Sequence, residues 1–99
     1  MRVGFLEVAE AELDNAIQYY ESEQPSLGIR FRDEVFRAVS RITAYPSAYQ
    51  MLSRRTRRCL IAKFPYGIIF QHNTSENEIL VIAIAHLHRK PDYWLSRKP

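Results

Sequence analysis

Apolar residues in the first half of the chain recur at helical steps. After a short apolar run, Arg2 to Leu6, which reads as a first strand, Ala9, Leu13, Ala16, Ile17 and Tyr20 fall three and four residues apart, with Glu10, Asp14, Asn15 and Glu21 between them. This predicts an amphipathic helix from Val8, acidic near its start where the helix dipole favours negative charge. Pro25 breaks the pattern, and Ser26 stands where the cap of a second helix is expected. Leu27, Phe31, Val35, Ala38, Val39 and Ile42 form the stripe of that helix, which ends before Pro46. Two helices joined so briefly make an antiparallel hairpin. Tyr19, Tyr20 and Tyr45 lie on or beside the stripes and are expected in the core or as hairpin contacts.

Beyond Pro46 the spacing becomes that of strands. Tyr49 to Leu52 reads as a short one and Arg57 to Lys63 as a longer one, bounded by Pro65 and Gly67. Tyr66 to His72 and Glu78 to His86 follow, separated by the polar turn NTSEN. Adjacent hairpins sharing their middle strand give an antiparallel meander. The expected fold is therefore a single α+β domain over residues 1–99, in two layers: a strand, then a helical hairpin packed on the meander. The run ILVIAIA is apolar on both parities, the mark of a central strand covered on both faces. Two helices cover one face. The other calls for the carboxy-terminal segment, a second copy or another chain, and large open apolar patches being uncommon, a protein partner is expected.

Composition narrows the classes. With 99 residues, 46% hydrophobic and 25% charged, the chain suits one soluble core. No run reaches the roughly 18–20 apolar residues of a membrane span, and the start carries no signal-peptide pattern, so a cytoplasmic protein without membrane association is expected. Cys59 is the only cysteine, which excludes an internal disulfide and a thiolate-rich zinc site; it is expected in the core. Charge is polarised: residues 1–34 sum to −5, residues 35–75 to +7 with no acid at all, and the remainder to +1. Arg37 and Arg41 fit a solvated helix face. Arg54, Arg55, Arg57 and Arg58 crowd together, and such repulsion marks them as a candidate target-binding surface for a polyanion or an acidic protein.

Four segments in this order carry a resemblance: AELDNAIQYY, LGIRFRDEVFRAVSRITAYP, RRCLIAKFPYGIIF and ILVIAIAHLHRKPDYW. Together they resemble the RelE/ParE superfamily of toxins from bacterial type II toxin–antitoxin modules, over nearly the whole chain. The resemblance implies a cognate antitoxin whose extended tail wraps the toxin, in a hetero-oligomer. It also implies one of two activities, since RelE-like members are ribosome-dependent endonucleases of messenger RNA whereas ParE-like members poison DNA gyrase without accepted catalytic residues. Fold alone does not choose between them.

Metal-independent RNA cleavage needs a base for the 2′-hydroxyl, an acid for the leaving oxygen and cations for the phosphorane charge. The RelE-like pattern maps onto Arg58 and the terminal tyrosine Tyr93, while Leu60, Gly67 and Leu87 stand where that pattern places cations. His86 and His88, two residues apart and followed by Arg89, supply titratable groups near neutral pH if the strand geometry persists. The candidate catalytic set is therefore Arg58, His86, His88, Arg89 and Tyr93. His72 and Asp92 lie too far off to complete a good metal set, and no cofactor is implied. With three cation positions lost, the ParE-like reading is preferred, the endonuclease is its rival, and a degenerate toxin that only binds its antitoxin is a weaker third. Tyr93 and Trp94 are expected to pack the tail on the sheet, with Arg89 and Arg97 paired to acids of the first helix.

Overall fold

In the computed structural model, which describes residues 1–99, the two helical stripes fold as α1 (Glu7–Glu23) and α2 (Leu27–Ala44). Ser26 does not cap α2. It sits in the left-handed region at φ 73° with no side-chain cap, and Glu21 of α1 does the work instead: its Oε2 accepts the Ser26 N–H at 2.9 Å and its Oε1 the Gly28 N–H at 3.0 Å. A carboxylate there answers both the free N–H groups and the positive end of the helix dipole. Gly28 allows the contact, because a Cβ at that position would stand 2.5 Å from the Ile17 carbonyl oxygen.

Five strands form one sheet in the order β1-β5-β4-β3-β2. They are β1 (Arg2–Phe5), β2 (Gln50–Met51), β3 (Arg57–Leu60), β4 (Tyr66–Asn73) and β5 (Glu78–His86). The meander β3–β4–β5 is antiparallel, and β2 adds antiparallel to β3. β1 pairs in parallel with β5, making the sheet mixed; a strand separated from its partner by two helices is free to return in that direction. Two strands are shorter than their apolar spacing predicts. β2 keeps two residues, and β3 stops at Leu60, before the hairpin turn in which Lys63 takes φ 71°.

The main core lies between helices and sheet. Ala9, Leu13 and Ala16 of α1 and Phe31, Val35, Ala38 and Ile42 of α2 meet Cys59, Ile68, Phe70, Ile79, Val81 and Ile84. Tyr20 joins this core, packing on Phe31 and Phe64 at ring distances of 5.2 and 4.9 Å. Tyr19 and Tyr45 do not: they are 56% and 72% exposed, since their positions turn away from the sheet.

β5 changes parity midway. Ile69 of β4 pairs with Ala83 and Phe70 with Val81, leaving Ile82 as an extra, bulged residue. Ile79 and Val81 therefore face the helices before the bulge and Ile84 after it, while Ile82, Ala83 and Ala85 face the rear. There Trp94, from the segment after β5, lies 5% exposed against Ile69, Ile82, Ala83 and Ala85, flanked by Leu52, Leu80 and Tyr93. The chain's own tail thus closes the second face, and that face alone no longer requires a partner. No helix is long and apolar enough to cross a membrane.

Candidate functional site

The arginine cluster divides into two parts. Arg54 and Arg55 stand exposed on a tight turn whose backbone is tied by side chains. Ser53 Oγ accepts the Arg55 and Thr56 N–H groups at 3.3 and 3.2 Å and lies 2.6 Å from Thr56 Oγ1, while the Leu52 N–H donates to the Thr56 carbonyl at 2.9 Å. Thr56 itself is buried. Arg57 and Arg58 follow on β3, and because successive strand residues point to opposite faces they part company. Arg57 Nη1 donates to the Tyr49 carbonyl at 2.8 Å and the Ser47 carbonyl at 3.3 Å, whereas Arg58 Nη2 donates to Gln50 Oε1 at 3.3 Å on the rear face.

At the end of β5, Arg58, His86, Arg89 and Tyr93 line one cavity of about 190 Å³, partly walled by Leu52, Ile69 and Trp94 of the rear face, and His86, opposite Tyr66, also borders α1. His88 does not line that cavity. β5 ends at His86, whose Nδ1 accepts the His88 N–H at 3.1 Å, and the two imidazoles meet edge-on at 5.1 Å; Tyr66 packs on the other side of His86 at 5.0 Å. His86 thus terminates the strand through its ring nitrogen.

Two members of the candidate set are engaged by Glu12. The Tyr93 hydroxyl donates to Glu12 Oε2 at 2.8 Å, and Arg97 clasps the same carboxylate with Nη1 at 2.8 Å and Nη2 at 3.0 Å. Arg89 lies 3.7 Å from Glu12 Oε2 with its guanidinium over the Tyr93 ring, 3.8 Å from the centroid. Burial and the bond to Glu12 push the Tyr93 phenol up to about 12, against the opposing pull of Arg97 and Arg89. Arg97's own hydrogen bonds to Glu12 raise it, with burial acting the other way.

The positions lacking cations are neighbours in space. Leu60 pairs with Gly67 across the β3–β4 ladder, and Leu87 Cδ2 lies 3.6 Å from where a Gly67 Cβ would be. The stem of Arg58 crosses Gly67, with its Cγ and Cδ 3.1 Å from that same point, so a side chain at 67 would press on Arg58, whose flexible stem must give slightly. Leu60 and Leu87, 54% and 42% exposed, leave an apolar strip beside the cavity.

Two acids were not singled out from the sequence. Glu12 falls three residues after Ala9 and four before Ala16, and Glu34 three after Phe31 and four before Ala38, so both lie on apolar stripes. That placement is the signal that would have found them. Glu34, 6% exposed, joins α2 to the β3–β4 turn through Lys63 at 3.5 Å and pairs within the helix with Arg37 at 3.2 Å. No group of three or more His, Cys, Asp and Glu side chains is placed to hold a metal ion.

Comparison with known proteins agrees with this layout. A family model described as "ParE toxin of type II toxin-antitoxin system, parDE" matches residues 3–91. A solved structure titled "Chromosomal ParDE TA system from P. aeruginosa" superposes with a TM-score of 0.74 at 18% identity, over 88% of this chain and 96% of that one, which shows a shared fold. No curated protein matches the sequence. Because the family match runs from β1 through the whole sheet to the segment beyond β5, the chain belongs to the ParE toxin family of type II toxin–antitoxin systems.

Proposed function

We propose that this toxin arrests growth by binding DNA gyrase rather than by cutting RNA, that Arg54, Arg55, Arg57 and Arg58 contact the target from the Ser53–Thr56 turn and from both faces of β3, and that a cognate antitoxin neutralises it in a cytoplasmic hetero-oligomer. The observation that carries the reading is the use made of Tyr93. A general acid or base must have its proton free to exchange with substrate, yet this hydroxyl donates to Glu12 at 2.8 Å and its phenol is held far above neutrality. Arg89 is stacked on the same ring, and Leu60, Gly67 and Leu87 offer no charge to a phosphorane.

A ribosome-dependent endonuclease is the second reading, favoured by the shared cavity of Arg58, His86, Arg89 and Tyr93. One experiment separates the two. The toxin is induced without antitoxin, and messenger RNA integrity and DNA breaks are followed together. DNA breaks and filamentation with intact transcripts are expected. Rapid cleavage of translated transcripts, abolished by Arg58→Ala or His86→Ala, would overturn the gyrase reading.

A further inference from the structure

Arg54 and Arg55 are the two members of the cluster whose guanidinium groups have no partner within the chain. The ion pairs present involve Arg32, Arg37, Lys63, Arg89 and Arg97, and the side chains of Arg57 and Arg58 are bonded to β2 and the turn before it. The free pair stands between two adjoining cavities and lines both. One, of about 460 Å³, adds Arg57, Ser47, Asn73 and Thr74; the other, of about 410 Å³, adds Arg97, Lys98, Ser53 and Thr56. No Asp or Glu side chain lines either one.

From this arrangement we infer that the Ser53–Thr56 turn is a binding site for the phosphodiester backbone of duplex DNA, Arg54 and Arg55 each taking a phosphate. The inference rests on the target-binding reading of these arginines and gives it a chemistry. Arginine matches phosphate through paired N–H donors, and a turn already tied by Ser53 and Thr56 loses little freedom when its side chains are engaged. Adjoining cavities on either side of one arginine pair suit the repeating charges of a strand. An acidic peptide would bring apolar anchors as well as charge, and only Met51 in the larger cavity and Leu95 in the other are exposed apolar side chains to receive them, Ile82 and Trp94 being buried. Single-stranded nucleic acid would need aromatic faces to stack on, but no Tyr or Phe lines either cavity and Trp94 is buried.

The test is fluorescence anisotropy of the purified protein with a labelled 20-base-pair duplex of arbitrary sequence, between 50 and 200 mM salt. Two phosphate contacts contribute about −1.8 to the slope of log affinity against log salt, or roughly a 12-fold loss over that range. Arg54→Ala/Arg55→Ala should lose that part of the slope, and Arg54→Lys/Arg55→Lys should keep it. An alanine pair that binds with unchanged slope, a wild-type protein that does not bind, or displacement of the duplex by a polyglutamate peptide of equal charge would overturn the inference. Growth arrest is scored separately with the same variants. If the alanine pair loses duplex binding and still arrests growth, the phosphate site stands and the role of these arginines in toxicity falls.

Discussion

Arg97 reaches back from the carboxy-terminal segment to Glu12 of α1 and holds its carboxylate by two hydrogen bonds of 2.8 and 3.0 Å. The pair also completes the edge of β5. β1 ends at Phe5, the Leu6 N–H makes the last bond to the Val81 carbonyl, and beyond it the bulge leaves backbone groups without a strand partner. Arg97 Nη1 donates to the Ile82 carbonyl at 3.0 Å, and the Ile84 N–H donates to Glu12 Oε1 at 3.1 Å. Two side chains therefore replace the missing strand, and the same ion pair fixes the tail that carries Trp94.

Glu12→Gln should strip this junction of its charge while keeping its shape. Both side chains are only 14% exposed, and removing one partner of a largely buried pair costs about 3 kcal/mol. For a domain of this size that lowers the melting temperature by roughly 12–24 °C. Denaturation of Glu12→Gln, Arg97→Gln and the double variant should give a coupling energy above about 1 kcal/mol. Additive losses would mean that the pair is not what holds the tail.

Stability should also fall at high pH through Tyr93. Its phenol is raised to about 12 in the fold from 10.0, so between those values the unfolded chain has released a proton that the folded chain keeps. The contribution is complete below pH 10 and is lost as pH rises through the folded value. Tyr93→Phe should flatten the decline in melting temperature across this window. Tyr20, Tyr49 and Tyr66 are also raised by burial, and so a residual slope is expected.

The elements that could be read from the sequence are those whose packing repeats locally. The stripes of α1 and α2 and the run of β5 each follow from one period, and Arg89 and Arg97 do meet an acid of the first helix. What escaped depends on distance or on hidden parity. The parallel partner of β1 lies more than seventy residues away, and Glu21 caps a helix that begins after it. Ile82 bulges within a run apolar on both parities, so no polar residue marks the shift. Within the arginine cluster, strand alternation, which closeness in sequence does not display, sends Arg57 and Arg58 to opposite faces of β3.

Gly28→Ala should destabilise the helical hairpin although alanine is the better helix former. The added methyl meets the Ile17 carbonyl at 2.5 Å and Glu21 at 3.0 Å, so α1 and α2 must separate or the Glu21 cap must break. Overpacking of this kind costs about 1–3 kcal/mol, outweighing the roughly 1 kcal/mol gained from helix propensity. Urea denaturation decides the sign. A more stable variant would mean that the helices part without cost.

Trp94→Ala should open the rear face without disturbing the main core. Trp94 is the chain's single tryptophan, and the indole covers Ile69, Ile82 and Ala85 on the side of the sheet that the helices cannot reach. Its loss should cost about 3–5 kcal/mol. It should also raise binding of a hydrophobic dye at temperatures where circular dichroism still reports the helices. In the wild type the same indole is its own reporter: Glu12→Gln should shift its emission to longer wavelength before global unfolding, because freeing Arg97 frees the segment that seats it. Emission unchanged until the helices melt would show that Trp94 is held by its apolar contacts alone, and the Glu12–Arg97 pair would then stabilise the edge of β5 rather than the cover of the sheet.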